Sequence, residues 1–398
     1  MIKRTLSPYL QNSAKMWKAV ALTGPRQSGK TTLARHLFAD KPYSTLEDPE
    51  TFQFATEDPR GFLASFPDGA VLDEIQRVPA LFSYLQRILD ESRAKGLFIL
   101  TGSNNFLLQQ NISQTLAGRV AYLNLLPFSL HELSQANASE TDPKPEISFK
   151  PDSLMLNGFY PPVHDQQIPG PQWLPQYIRT YVERDVRQIR NITDLMAFDR
   201  FVKLVAGRNG QELNVTALAL EAGIDQKTAQ AWLSILVSSF VIFLLKPYHR
   251  NFNKTITKRP KLYFWDTGLV CALLGIRTTA DLAQHPARGS LFESLIVSEV
   301  GKHFMHQGLE PRMYYWRDKS GRELDLILES GSTPIPIEIK AGMTVQPAFF
   351  RNIRYWQKLT DTPQAYIIYG GTQRQQRSDG ARVIPWDQLT EILQAQLS

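Results

Sequence analysis

Apolar positions in the first third of the chain follow two rhythms that take turns. Lys18 to Thr23, Gly69 to Glu74 and Gly96 to Asn104 are short, nearly continuous apolar runs, as a buried strand requires. Between them the spacing is helical: Thr32 to Phe38 is one such stretch, and Pro79 to Lys95, with Leu81, Leu85, Ile88 and Leu89, is another. Tyr43 to Asp48 reads as a further short strand and turn, residues 1–17 as an opening helix ending on a core aromatic, Trp17, and Leu125 to Phe128 as the segment closing the sheet. Strands that alternate with helices predict a parallel sheet, whose ligands sit beyond the strand C-termini.

The rhythm then changes. Residues 134–156 combine low hydrophobicity with scattered prolines, the signature of a linker, and residues 157–170 stay irregular. Trp173 to Ile189 is strongly helical, and its outer face carries Arg179, Glu183, Arg184 and Asp185 as structural ion pairs. Val215 to Phe240 reads as a helix-turn-helix. Thr216 to Ala222 is the first helix, Gly223 to Asp225 the turn, and the second helix points Ala229, Trp232, Leu233 and Leu236 inward. Val241 to Leu245 and Tyr248 to Phe264 then suit a β-hairpin wing. Further on, Gly289 to Ile296 opens a helix and Tyr314 to Arg317 precedes a turn at 318–321. Arg322 to Leu328 and Pro334 to Lys340 read as neighbouring strands. The expected fold class is α/β: an N-terminal parallel sheet (1–133), a linker (134–170), a helical and winged-helix region (171–275) and a C-terminal α/β domain (276–398).

Composition narrows this picture. The 398 residues, 43% apolar and 21% charged, suit a folded chain of two or three domains. The single cysteine, Cys271, forbids an intrachain disulfide and suits a reducing compartment. Lys3 and Arg4 are followed by no apolar run, and the longest apolar stretch, Ala231 to Leu245, is broken by serines and too short for a bilayer. A cytoplasmic protein with no membrane partner is expected. Net charge is +6, and residues 171–275 hold fourteen Lys/Arg against eight Asp/Glu, an equal excess. Lys246 to Trp265 contains six Lys/Arg and no acid. A basic hairpin beside a helix-turn-helix suits duplex phosphates, with Arg250, Lys254, Lys258 and Arg259 as the contacts.

The sharpest chemistry lies between the first strand and the first sheet helix. Gly24-Pro25-Arg26-Gln27-Ser28-Gly29-Lys30-Thr31, followed by Thr32, fits G-x-x-x-x-G-K-[ST] in full. Glycines let successive N–H groups converge on a polyphosphate, Lys30 adds a mobile cation, and Thr31 offers a hydroxyl to Mg²⁺. The apolar run Gly69 to Glu74 ends in Asp73 and Glu74: the first acid suits a Mg²⁺ ligand and the second a base for the attacking water. Ser103 or Asn104, at the end of the next strand, is placed to sense the γ-phosphate. Arg119, in the loop Leu116 to Val120, is a candidate to neutralise the transferring phosphoryl group, in cis or in a neighbouring subunit. ATP and Mg²⁺ are the expected cofactors, DNA the expected macromolecular partner, and a homo-oligomer is compatible with an arginine acting in trans.

A second constellation lies near the C-terminus. Glu338 and Lys340, two apart, share one face of a strand, and Asp325 lies on the strand before it. With Glu293 from a helix, these residues suit a restriction-endonuclease-like centre in which carboxylates hold Mg²⁺ and a lysine stands by the attacking water.

The stretches GPRQSGKTTL, VLDEIQ, LTGSNNFLL, LAGRV, PFSLHEL, YVERDV, KRPKLYFWDTGL, LFESLIVSE, YYWRDKSGRELDLIL and PIEIKAG run from residue 20 to residue 343. Together they resemble a prokaryotic family of AAA-type ATPases that joins a P-loop domain to a C-terminal domain of unknown function related to PD-(D/E)xK nucleases. One departure is Asn157-Gly158-Phe159-Tyr160-Pro161, where such proteins read Gly-Gly-Phe/Tyr-Pro. The resemblance implies ATP binding and hydrolysis. It leaves three readings open: an ATPase coupled to DNA engagement, a nucleotide-gated binding module with little turnover, and a metal-dependent nuclease with a regulatory ATPase domain.

Overall fold

The computed structural model describes residues 1–103, 115–137, 149–181, 194–248, 259–330, 333–362 and 364–397. The chain divides into two compact units. The first comprises Met1–Phe128 with Ser238–Phe240 and Phe304–Glu310, and the second holds the remainder.

The first unit is built on five parallel strands: β1 (Ala19–Thr23), β2 (Tyr43–Thr45), β3 (Ala70–Asp73), β4 (Phe98–Gly102) and β5 (Val120–Asn124), in the order β2-β3-β4-β1-β5. Helices α1 (Ser7–Met16), α2 (Lys30–Leu37), α3 (Pro49–Glu57), α4 (Pro59–Ala64) and α5 (Ala80–Glu91) accompany them. Alternation along each strand sends Ala19, Ala21, Leu72 and Leu100 to one face, packed with Leu81, Leu85 and Leu89 of α5. Val20, Leu22, Val71 and Ile99 go to the other, with Leu33 of α2 and Leu6 and Leu10. The strands end in register, Thr23 beside Gly102 and Thr45 beside Asp73. The polar C-terminal residues therefore gather along one edge. The closing strand is Val120–Asn124, not Leu125 to Phe128: as an edge strand it buries alternate residues only, so it lacks the continuous apolar run expected of a core strand. Trp17 is 38% exposed rather than in the core.

The second unit begins with α6 (Leu130–Asn137), α7 (Pro151–Asn157), α8 (Pro161–Asp165) and α9 (Gly170–Tyr181). Much of the expected linker is thus helical. Pro151 and Pro161 mark first turns, where proline is tolerated, so they start helices instead of breaking them. Arg179 is exposed on α9, while Glu183, Arg184 and Asp185 lie outside the described residues. Next come α10 (Leu195–Gly207), β6 (Gln211–Glu212), α11 (Val215–Ala222), α12 (Gln226–Ser238), β7 (Ile242–Leu245) and β8 (Lys261–Phe264). Gly223 ends α11 in the left-handed region, and Ala229, Trp232, Leu233 and Leu236 of α12 are buried. The three strands form an antiparallel sheet in the order β6-β8-β7.

Helices α13 (Thr267–Leu273), α14 (Thr279–Gln284) and α15 (Arg288–Met305) lead to a six-stranded mixed sheet. Its strands are β9 (Met313–Arg317), β10 (Glu323–Ser330), β11 (Thr333–Lys340), β12 (Ala365–Tyr369), β13 (Gln375–Gln376) and β14 (Ala381–Pro385), ordered β13-β14-β12-β11-β10-β9. Helix α16 (Arg351–Thr360) connects β11 to the parallel β12, and α17 (Leu389–Leu397) ends the chain. Beyond β7, Lys246 and Tyr248 exchange backbone hydrogen bonds with Tyr315 of β9, which ties the small sheet to the large one. No helix among the described residues is long and apolar enough to cross a membrane.

Candidate functional site

The turn after β1 places a phosphate-sized cradle at the polar edge of the parallel sheet. Gly24 has φ +149°, and a Cβ there would lie 2.1 Å from the Leu125 carbonyl oxygen, so no other residue fits. Gly29, left-handed at φ +92°, hands the loop to α2, whose first N–H groups receive no side-chain cap. A helix N-terminus left open in this way suits an anion. Lys30 is buried, and its Nζ donates to the Gly24 and Pro25 carbonyls at 3.1 and 2.8 Å. Arg26, Gln27, Ser28 and Thr32 complete the segment, with Gln27 itself at φ +60°.

Asp73, at the end of β3, faces this turn. Thr31 Oγ1 donates to both its carboxylate oxygens at 3.2 and 3.0 Å, and Tyr43 donates its phenol to Oδ2 at 2.8 Å. The Thr101 hydroxyl donates to Oδ1. Burial, reinforced by Asp73, pushes the Tyr43 phenol up to about 12, so it remains a donor. A hydroxyl beside a carboxylate at the mouth of a phosphate loop is a hard oxygen donor set of the type Mg²⁺ takes. Glu74 follows in the left-handed region at φ +54°, unusual for a residue with a Cβ. Its Oε2 accepts from Ser103 Oγ at 2.9 Å and from the Gln76 amide. Thr31, Asp73, Glu74 and Ser103 thus meet at one edge, and Asn104 lies outside the described residues.

Arg119 does not join them. Its carbonyl accepts from Ala19 N at the start of β1, and β1 and β5 run parallel, so it sits at the opposite edge of the sheet. A five-residue strand separates the two edges by roughly 16 Å. Its guanidinium pairs with Asp90 at 2.5 and 3.0 Å. A role in cis at the phosphate loop is therefore corrected: Arg119 precedes its strand and so lies at the edge away from the loop.

Sequence reasoning missed Arg4. It is 4% exposed, donates Nη1 to the Ser28 carbonyl at 2.7 Å and Nη2 to the Leu126 carbonyl at 2.6 Å, and lies 4.7 Å over the Phe128 ring. It clamps the phosphate loop to the segment after β5. Tyr43, Thr101 and Gln76 were also missed. Their signal was position, since each lies within a few residues of a strand end at the same edge.

The second unit assembles the C-terminal constellation. The β10–β11 ladder stops at Leu326 and Ile337, and β10 shifts register against β9 between Leu324 and Ile327. Such irregularities re-aim side chains. Here the Asp325 carboxylate accepts the Ile339 N–H at 2.7 Å. Lys340 Nζ lies 3.4 Å from Asp325 and 2.7 Å from Glu338, so the three share one face. Burial, aided by the Asp325 charge, pushes the Glu338 carboxyl up to about 8. Its Oε2 is buried with no hydrogen-bond partner among the described residues. Glu293 of α15 approaches from the other side: it, Asp325 and Glu323 bring ligand atoms within 4.8 Å of one another. Glu323, two residues before Asp325 on the same strand, was not anticipated.

Lys261 enters the same cluster. Counted by sequence among the hairpin's basic residues, it is 3% exposed, 2.9 Å from Glu293, and paired with Glu323. Burial opposes its charge, but Tyr263, Glu293 and Glu323 outweigh that and hold the ammonium well above the ordinary lysine range. Arg259 is exposed, and its carbonyl accepts from the Tyr315 hydroxyl; Arg250, Lys254 and Lys258 lie outside the described residues.

The parallel sheet, the glycine turn and the Asp73–Thr31 contact define a P-loop domain of AAA type, and residues 16–134 match the family described as an AAA domain. Residues 150–280 and 288–389 match two domains of unknown function, DUF8612 and DUF4143. The chain belongs to the family of the uncharacterized proteins Mb2031c of Mycobacterium bovis and Rv2008c of Mycobacterium tuberculosis. It is 30% identical to each over 391 residues, 97% of this chain and 84% of the relative. Among solved structures, the Walker-type ATPase PABY2304 of Pyrococcus abyssi aligns with a TM-score of 0.47 at 16% identity, over 69% of this chain and 96% of that one. The ORC2 protein of Aeropyrum pernix, in its ADP form, aligns at 0.32 with 15% identity, over 60% and 85%.

Proposed function

We propose that the protein is a cytoplasmic, Mg²⁺-dependent ATPase whose nucleotide state governs its hold on DNA. The observation that carries the reading is the edge where Thr31 meets Asp73, with Lys30 folded over the loop and Glu74 held beside them. Loop amides and Lys30 would bind the phosphates, Lys30 exchanging the Gly24 and Pro25 carbonyls for phosphate oxygens. Thr31 and Asp73 would hold Mg²⁺, which supplies charge neutralisation at the β- and γ-phosphates. Glu74, once released by Gln76 or Ser103, would orient the attacking water.

The experiment is ATP binding and turnover on three proteins. Lys30→Ala loses tight ATP binding. Glu74→Gln keeps binding and stops turnover, because the metal ligands remain while the base is gone. A wild-type chain that binds no ATP overturns the proposal, and unchanged turnover in Glu74→Gln removes that residue from its role.

The DNA half of the reading draws on the second unit. The order α10-β6-α11-α12-β7-β8 supports reading this region as a winged helix. Along α12, Gln226, Lys227, Gln230 and Ser234 are exposed, a polar stripe suited to base edges and phosphates. On that reading the basic residues between β7 and β8 would supply the phosphate contacts. A trans role for Arg119 in a homo-oligomer would first require it to leave Asp90. The nuclease alternative rests on Asp325, Glu338 and Lys340, and it meets an obstacle.

A further inference from the structure

A nuclease centre at Asp325 and Glu338 implies a divalent cation held between carboxylates. The donors suit one: Glu293, Glu323, Asp325 and Glu338 are hard oxygen ligands, and Glu338 Oε2 is buried without a partner among the described residues. The space between them is nonetheless taken by ammonium groups. Lys340 bridges Asp325 and Glu338, and Lys261 bridges Glu293 and Glu323.

We propose that this cluster is a cation site whose resident cation is Lys261, so that the folded chain takes no Mg²⁺ or Mn²⁺ there. Four features carry the assignment. Lys261 Nζ sits between a helix carboxylate and a strand carboxylate, in a position where a metal would cross-link α15 and β10. The Tyr263 hydroxyl, on the same strand, donates to the same Glu293 oxygen and so orients that carboxylate toward the ammonium. The Tyr315 ring lies 5.5 Å from the ammonium and favours a cation of this kind. Finally, β8 is the central strand of its sheet, and Lys261 pairs with both Glu212 and Leu245. The backbone that carries the ammonium is therefore held on two sides. Charge points the same way. Four carboxyls face Lys261, Lys340 and Arg317, the last 3.4 Å from Glu323, so little negative charge is left to attract a divalent ion. The donor set fits a metal and its occupancy does not. The inference is independent of the ATPase reading.

The test is Mn²⁺ binding to the nucleotide-free full chain, followed by electron paramagnetic resonance, on wild type, Asp325→Asn, Lys261→Met and Lys261→Met/Asp325→Asn. The expected result is no Mn²⁺ in wild type that Asp325→Asn removes. Lys261→Met, which keeps the stem and deletes the charge, gains a site bound about tenfold or more tighter, lost again in the double variant. A folded Lys261→Met with no gain overturns the proposal. If that variant does not fold, the wild-type arm decides alone: Mn²⁺ bound and lost on Asp325→Asn overturns the proposal, and its absence supports it.

Discussion

Arg4→Ala tests whether the phosphate loop is held from outside its own sequence. The substitution removes a buried guanidinium from two carbonyls, those of Ser28 and Leu126, and from the face of Phe128. Each buried acceptor left without a donor costs about 1–3 kcal/mol, and the ring contact adds about 0.5–2 kcal/mol. Loss of stability is therefore certain in sign and large beside a typical 5–15 kcal/mol total. Only the Ser28 contact bears on nucleotide. A hydrogen bond from a charged donor contributes about 1.5–3 kcal/mol net, and if that energy holds the loop in its binding form, its loss reduces the competent population accordingly. At 1.4 kcal/mol per factor of ten, the Kd for ATP rises about ten- to hundredfold. Arg4→Lys keeps the charge but loses the fork that reaches both carbonyls, and falls between. The assay pairs thermal melting without nucleotide with calorimetric Kd values for ATP and ADP, at a temperature where every variant is folded. A lowered Tm with unchanged Kd would refute the clamp and leave Arg4 as a strut of the core.

Two further outcomes follow from other parts of the molecule. If the basic stretch after β7 touches phosphates, log K for DNA falls steeply with log salt, and replacing two of Arg250, Lys254, Lys258 and Arg259 reduces the slope by about two units; a slope that does not move removes them from the interface. Burial pushes the Cys271 thiol up to about 12, so at pH 8 it is protonated as well as buried: a thiol reagent such as DTNB should leave it untouched in the folded chain and titrate it in denaturant, and fast reaction in the native state contradicts the packing of α13.

What could be read from the sequence, and what could not, divides by sequence distance. The loop from Gly24 to Thr31 is local: its glycines fix the backbone and its lysine and threonine fix the chemistry, so a strand before and a helix after suffice to place it. Asp325, Glu338 and Lys340 were legible for a similar reason, since the two-residue period of a strand assigns faces without tertiary information. Arg4 was not, because its partners lie 24 and 122 residues away and nothing in its neighbours marks it as buried. Lys261 misled for the same cause. Within Lys246 to Trp265 it looks like one more solvated cation, and only the packing of β8 against Glu293, 32 residues on, turns it inward. Arg119 shows a different failure: its motif was recognisable, but the direction of β5 decides which edge it occupies.

The two carboxylate centres differ in what holds them, and the difference bears on which can accept a metal. Around Asp73 the bound donors are the hydroxyls of Thr31, Tyr43 and Thr101, all neutral. Mg²⁺ bound there would displace hydrogen bonds that water can replace and would meet no like charge at the carboxylate itself, with the Thr31 hydroxyl as a further oxygen donor. Around Glu293, Glu323 and Asp325 the donors include ammonium groups fixed by the strands that carry them. A divalent ion placed about 4 Å from one such ammonium is repelled by roughly 8 kcal/mol at an effective dielectric of about 20, and the Lys261 backbone is held by strands on both sides. Repulsion of that size cancels the attraction of one carboxylate at the same distance, so each resident ammonium neutralises one carboxylate's pull on the ion. On the proposed readings the same residue types lead to opposite chemistries: hydroxyl-held Asp73 would take a metal, and the ammonium-held cluster would not. This is the physical ground for proposing metal-dependent catalysis at the phosphate loop instead of the C-terminal sheet.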